Sequence, residues 1–230
     1  KSLLSMLTFF ILYFIGSSNS IAEGLDTPSF PVPWQLNLQN PATPVAEQLV
    51  EFHNFLLIII TIISLIVLGL LVWCAIRYNS KTNPVPSTTT HNTFIEVMWT
   101  VIPILILIII AVPSYRILYF MDKVENPELT VKVIGNQWYW SYEFPDDEIE
   151  FDSLPIPDSE IDITKGQHRL FEVDNPLILP IDTDIRILFT STDVLHAWTV
   201  PAFGVKLDTV PGRINETWTH ITKIGKFYGQ

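Results

Sequence analysis

Only one cysteine, Cys74, occurs in the 230 residues. That excludes an intrachain disulfide, and it excludes a cysteine-based metal site outside the apolar stretch around Cys74. There the thiol reads as a small packing hydrophobe. Charge is missing from two long segments: no Asp, Glu, Lys or Arg falls between Phe52 and Ile76, or between Val97 and Tyr115. A bilayer span needs about 20 apolar residues, so both read as membrane helices rather than core helices of a soluble domain. Basic residues are scarce in the remainder. From Asp122 onward 19 acids face 9 Lys and Arg, which accounts for nearly all of the net charge of −11. Such a surface repels nucleic acid and attracts a basic partner in a salt-sensitive way. Acidity kept for solubility alone has the same composition. The five histidines (53, 91, 168, 196 and 220) also lack any pairing at metal-ligand spacing.

What is present divides the chain. Residues 1–22 carry Lys1, an apolar run from Met6 to Ile15 and then small residues, the pattern of a secretory-type leader or of an extra short helix. Residues 23–46 hold five prolines and read as an extended surface segment. A two-helix transmembrane hairpin is expected over 47–121, with Pro103 and Pro113 kinking or ending its second helix. The loop Arg77–Thr93 has Arg77 and Lys81 and no acid. The positive-inside rule puts it on the cytoplasmic or matrix side and everything flanking the hairpin on the other. From Leu129 the period becomes two, clearest in Thr130-Val-Lys-Val133, in Arg186-Ile-Leu-Phe189 and in Thr217-Trp-Thr-His-Ile221. Turn signals between these runs point to a β-sandwich or barrel over 122–230. The fold class expected is therefore an α+β membrane protein, a helical hairpin followed by an all-β domain.

Three places can carry chemistry. Gln137-Trp-Tyr-Trp-Ser-Tyr-Glu143 packs four aromatics into five positions. Strand alternation puts Trp138, Trp140 and Tyr142 on one face, which favours a core role unless a bulge turns one indole outward. His196 follows a strand and could ligate copper or zinc, although a lone histidine is a weak signal. Glu96 is the last charge before the second span. It is either a solvated helix-start residue favoured by the helix dipole or the mouth of a proton route.

Taken together, Pro113–Tyr119, Leu129–Lys132, Gln137–Glu143, Phe151–Ser153, Leu170–Asn175, Thr192–Trp198, Val210–Arg213 and Phe227–Gln230 resemble, in order, motifs of subunit 2 of cytochrome c oxidase, from about residue 26 onward. The resemblance implies a cupredoxin-like Greek-key barrel anchored by the hairpin. It would dock cytochrome c, take electrons at a binuclear copper centre and pass them to subunit 1, whose haem and further copper reduce O2 with proton pumping. It implies Trp138 as the electron-entry indole, His196 as a copper ligand and Glu96 as a proton-channel entrance. Glu143, Asp174 and Asp193 would belong to an acidic docking face, extended by Asp146, Asp147 and Glu148. The setting implied is the mitochondrial inner membrane with the β domain in the intermembrane space, or a bacterial plasma membrane.

One departure accompanies the match. In the family a loop with two cysteines, a glutamate, a second histidine and a methionine follows the Tyr-Gly-Gln motif, and a last strand completes the barrel. Residues 1–230 include neither. The barrel is thus expected to be incomplete at its C-terminus, and soft sulfur ligands hold such a centre. The expectation is a split subunit: a complementary C-terminal fragment supplies the loop and strand, and the copper is completed by another polypeptide. A continuation of the same chain is the competing expectation. Two other functions fit parts of the pattern: a copper-free quinol oxidase subunit 2, and a non-enzymatic two-span receptor or channel subunit.

Overall fold

In the computed structural model the described residues are 30–31, 34–85, 87–122 and 126–230. The leader-like segment 1–22 lies outside them. The first helix, α1, spans Pro44–Arg77, and α2 spans Thr93–Asp122. At 1.5 Å per residue they run about 50 and 45 Å, longer than the roughly 30 Å of hydrocarbon in a bilayer. Both are long and apolar enough to cross a membrane, and the side chains of their apolar windows are unburied. Thr43 starts α1: its Oγ accepts the Ala46 N–H at 3.0 Å, with Pro44 in the first turn. Asn92 does the same for α2, accepting the Ile95 N–H at 3.2 Å. Pro103 and Pro113 stand inside α2 and neither ends it. Each removes one N–H from the ladder, which leaves the turns on either side to continue the helix.

The β domain has seven strands: β1 Leu129–Asn136, β2 Tyr139–Phe144, β3 Ile149–Ser153, β4 Asp184–Ser191, β5 His196–Val200, β6 Val205–Thr209 and β7 Asn215–His220. Five form one sheet in the order β3-β2-β1-β4-β7, and β5-β6 form a second. Only β1 and β4 run parallel in the larger sheet. The period-two reading holds best on β4, where Ile185, Ile187 and Phe189 are buried and the residues between them are partly exposed. Their buried face meets Val131, Val133 and Tyr142 from the same sheet and Trp198, Val200 and Val205 from the other, with Phe203 from the turn between β5 and β6. That core sets the two sheets face to face. Burying side chains of this size contributes about 1.5–3 kcal/mol each.

Of the proline-rich stretch, residues 34–40 are mostly exposed, as expected of a surface segment, but its last residues are not. Ala42, Thr43, Val45 and Ala46 are buried. The Ala42 N–H donates to the Ala202 carbonyl at 2.9 Å and the Thr43 hydroxyl to that of Phe203 at 2.8 Å. The close approach needs small residues on both sides. Gly204, at φ 69°, faces the start of α1, and a Cβ there would lie 2.8 Å from Leu49 Cδ1. At the other helix, Trp218 Nε1 and the Thr217 hydroxyl donate to the carbonyls of Phe120 and Met121, both at 2.8 Å. They satisfy acceptors that a helix C-terminus leaves open. The β domain is therefore bonded to one end of each helix, and β1 runs away from that end.

Candidate electron-entry and metal-ligand site

The far end of β1 is where the sequence candidates meet. Asn136 pairs with Tyr139, so Gln137 and Trp138 form the two-residue tip between β1 and β2. Trp138 is 82% exposed. The alternation that put it on a face with Trp140 and Tyr142 begins one residue too early, because the strand starts at Tyr139. Trp140 is half-buried and Tyr142 buried. Burial pushes the Tyr142 hydroxyl above its usual pKa, against the opposing effect of the Trp198 indole N–H that it accepts at 3.2 Å.

Behind the tip lies the loop 192–195 and His196, the first residue of β5. Five side chains fasten the tip to this loop and to β3. The Gln137 N–H donates to Asp193 Oδ2 at 2.8 Å. Thr192 Oγ donates to Asn136 Oδ1 at 2.6 Å. Asn136 Nδ2 donates to the Ser141 hydroxyl at 2.9 Å, which donates to Asp152 Oδ1 at 2.6 Å. Asn136 and Ser141 are buried, so each unmet group would carry its full desolvation cost. No local pattern in the sequence marked this network, since its partners are 5, 11 and 56 residues apart.

The other oxygen of Asp193 faces His196, with Oδ1 to Nε2 at 2.7 Å, and also accepts the Val194 N–H at 2.6 Å. First the His196 bond, then the amides of Val194 and Gln137 and the Ser191 hydroxyl, hold the Asp193 carboxyl down at about 2. An ionised carboxylate only accepts, so Nε2 carries the proton and a neutral ring presents Nδ1 as its lone pair. Nδ1 makes no hydrogen bond among the described residues. A carboxylate behind an imidazole in this way orients a metal-ligating histidine. The ring also lies against the backbone of β1: a Cβ on Gly135 would stand 2.8 Å from His196 Cδ2 and from Thr209 Oγ1. Trp140 meets it edge-on, with ring centroids 6.0 Å apart.

The remaining candidates fall elsewhere. Asp174 is at the same end as Trp138, exposed, and accepts the Leu154 N–H at 2.8 Å. Glu143 pairs with Lys132 at 2.7 Å near the other end of β2. Asp146, Asp147 and Glu148 are exposed beyond that end, a full strand length from Trp138. Glu96 sits half-buried in the first turn of α2, at the opposite end of the helix from the β domain.

Two family models match the chain: the transmembrane domain of cytochrome C oxidase subunit II over residues 31–117, and the periplasmic domain of the same subunit over residues 129–230. The chain belongs to the cytochrome c oxidase subunit 2 family. A probable cytochrome c oxidase subunit 2 of Rickettsia prowazekii is 52% identical over 221 residues, which is 96% of this chain and 68% of that protein. Cytochrome c oxidase subunit 2 of Chondrus crispus is 46% identical, covering 86% of this chain and 79% of the relative. The crystal structure of the periplasmic domain of subunit II (CoxB) of Bradyrhizobium japonicum is 48% identical over 46% of this chain and 73% of its own, with a TM-score of 0.42. As a subunit 2, the chain is a membrane-anchored part of the oxidase complex with a cupredoxin-like β domain.

The family binds copper. The donors in residues 1–230 do not fit a binuclear copper centre. Beside the tip stands the carboxylate-oriented imidazole of His196 but no thiolate, because Cys74, exposed on α1, is the single cysteine. Among the described residues no three His, Cys, Asp or Glu side chains converge as metal ligands. His196 fits one corner of such a site.

Proposed function

We propose that this chain is the electron-entry subunit of its oxidase. Ferrocytochrome c docks over the β1–β2 tip and delivers one electron per encounter through the Trp138 indole. The observation that carries this reading is the exposed indole on a tip bonded to the loop that bears His196. An aromatic of this size, 82% exposed, gains nothing from burial in its own domain. The acids around it are Asp152, Asp174 and Asp193, and the wider surface, including Glu143 and Asp146–Glu148, adds to the negative field. Such a field steers a basic protein and speeds its encounter. His196 contributes one imidazole to copper, and the other donors come from outside residues 1–230.

The hairpin would seat the subunit beside subunit 1 and lipid in the mitochondrial inner membrane, with the β domain in the intermembrane space. The basic loop with Arg77 and Lys81 then faces the matrix. Glu96 stands on that side, at a helix start, where a carboxylate can open a proton route into subunit 1.

The test is Trp138→Ala in the assembled oxidase. The rate at saturating cytochrome c should fall roughly tenfold or more with little change in KM, the signature of a group needed after binding. An unchanged saturating rate would overturn the entry role.

A further inference from the structure

Glu172 is the only buried carboxylate among the described residues, and the electron-entry reading gives it no part. It gathers three donors. Oε2 accepts Lys226 Nζ at 2.5 Å, while Oε1 accepts the Tyr228 hydroxyl at 3.0 Å and the His168 N–H at 3.3 Å. Burial pushes its pKa up, but Lys226, the His168 N–H and the Tyr228 hydroxyl outweigh that and hold the group below its ordinary value. The Tyr228 ring meets Phe30 and His168 edge-on at 5.4 Å and Phe171 at 6.0 Å, so it is packed on three sides. Past Tyr228 the backbone lies on β5. Gln230 and Thr199 exchange both backbone bonds, at 2.9 and 3.0 Å, the pattern of an antiparallel pair. The approach is close: a Cβ on Gly229 would stand 2.6 Å from the Thr199 carbonyl oxygen. Running opposite to β5, the segment advances toward the end of the strand that bears His196.

We propose that Glu172 is a positioning residue whose buried carboxylate clasps Lys226 and Tyr228 and so keeps Gly229 and Gln230 seated on β5, the strand that begins at His196. This rests on the reading of His196 as part of the electron route. The backbone pair with Thr199 fixes one end of the segment and the clasp fixes the other. Together they set its register on β5, whose other edge is taken by β6. Without the carboxylate, the buried Tyr228 hydroxyl would lose its acceptor and carry its full desolvation cost. The segment would then fray from β5 and leave that edge open. Misplacing a group in a reaction path by an ångström can cost up to about 100-fold in rate.

Glu172→Ala removes the clasp. Tyr228→Phe removes one of its hydrogen bonds and keeps the packed ring, so it reports even if the first variant assembles poorly. Both are measured in the assembled oxidase, by hydrogen–deuterium exchange and by turnover with soluble cytochrome c. Exchange at 227–230 and 196–200 should be about tenfold faster in Glu172→Ala and about threefold faster in Tyr228→Phe, with 185–189 on β4 unchanged. The saturating rate should fall about tenfold and about twofold respectively, with KM within about twofold of wild type. Wild-type exchange at 227–230 in both variants overturns the clasp. Equal acceleration on β4 would make Glu172 a residue of general stability and overturn the positioning role, as would faster exchange with an unchanged saturating rate. A His196→Ala oxidase that keeps the wild-type rate would instead remove the electron-route reading, and exchange would still report whether Glu172 holds the segment.

Discussion

The two tips of strand β2 are made from opposite kinds of sequence, and the structure treats them oppositely. At one, Gln137 and Trp138 carry no charge, yet Asn136, Ser141, Thr192 and Asp193 bond the tip to the 192–195 loop and to β3. At the other, Pro145-Asp-Asp-Glu148 is nearly all charge. Its backbone closes one turn, Asp147 N–H to Phe144 carbonyl at 3.1 Å. None of its three carboxylates has a hydrogen bond or ion pair among the described residues. An exposed indole costs solvation and gains nothing unless its position is used, so fixing it requires buried partners. Carboxylates in water need none. A held apolar tip beside a free charged one separates the group that must be placed from the groups that act through the field.

Substitutions can break that contrast. The largest structural effect is expected from Gly135→Ala, because the new Cβ would lie 2.8 Å from both His196 Cδ2 and Thr209 Oγ1. Overpacking of this kind costs about 1–3 kcal/mol, so the unfolding midpoint of the β domain should fall and the saturating rate with it. A wild-type midpoint would mean that β5 can move off β1 freely. Ser141→Ala comes next. It removes the hydroxyl that joins Asn136 to Asp152 and leaves Asn136 Nδ2 with only a 3.3 Å bond to the Ile134 carbonyl. A loss of about 1–2 kcal/mol is expected, together with faster exchange at the Trp138 tip and none at 145–148. Equal loosening of both tips would show that the network does not distinguish them. The smallest effect belongs to the joint change Asp146→Asn, Asp147→Asn and Glu148→Gln. Cytochrome c should associate about two- to threefold more weakly at low salt, converge with wild type as salt screens the field, and turn over at the same saturating rate. A fall in that rate would place these acids in the contact itself.

The legible parts of the sequence were those set by local rules. Two uncharged runs gave two spanning helices, since length and apolarity alone decide that a segment can cross a bilayer. Alternation on β4 put Ile185, Ile187 and Phe189 in the core. Two readings go astray for one reason. Strand alternation counts Trp138 as a strand residue although it sits in the turn, and the proline content reads Ala42–Ala46 as surface although most of these residues are buried against the 201–203 turn. Each depends on what packs or bonds against the segment, not on the segment.

By itself the sequence determined the architecture, the acidic sign of the β domain, and the presence of one histidine without thiolates near it. Those follow from composition and period, which do not change with distant contacts. Only the tertiary structure decided that Trp138 faces solvent, that Asn136, Ser141 and Asp152 form one chain beneath it, and that Asp193 bonds both Gln137 and His196. Hydrogen bonds between residues up to 56 positions apart exist only once β1 and β4 lie side by side. A carboxylate's partners, unlike its charge, are a property of the fold.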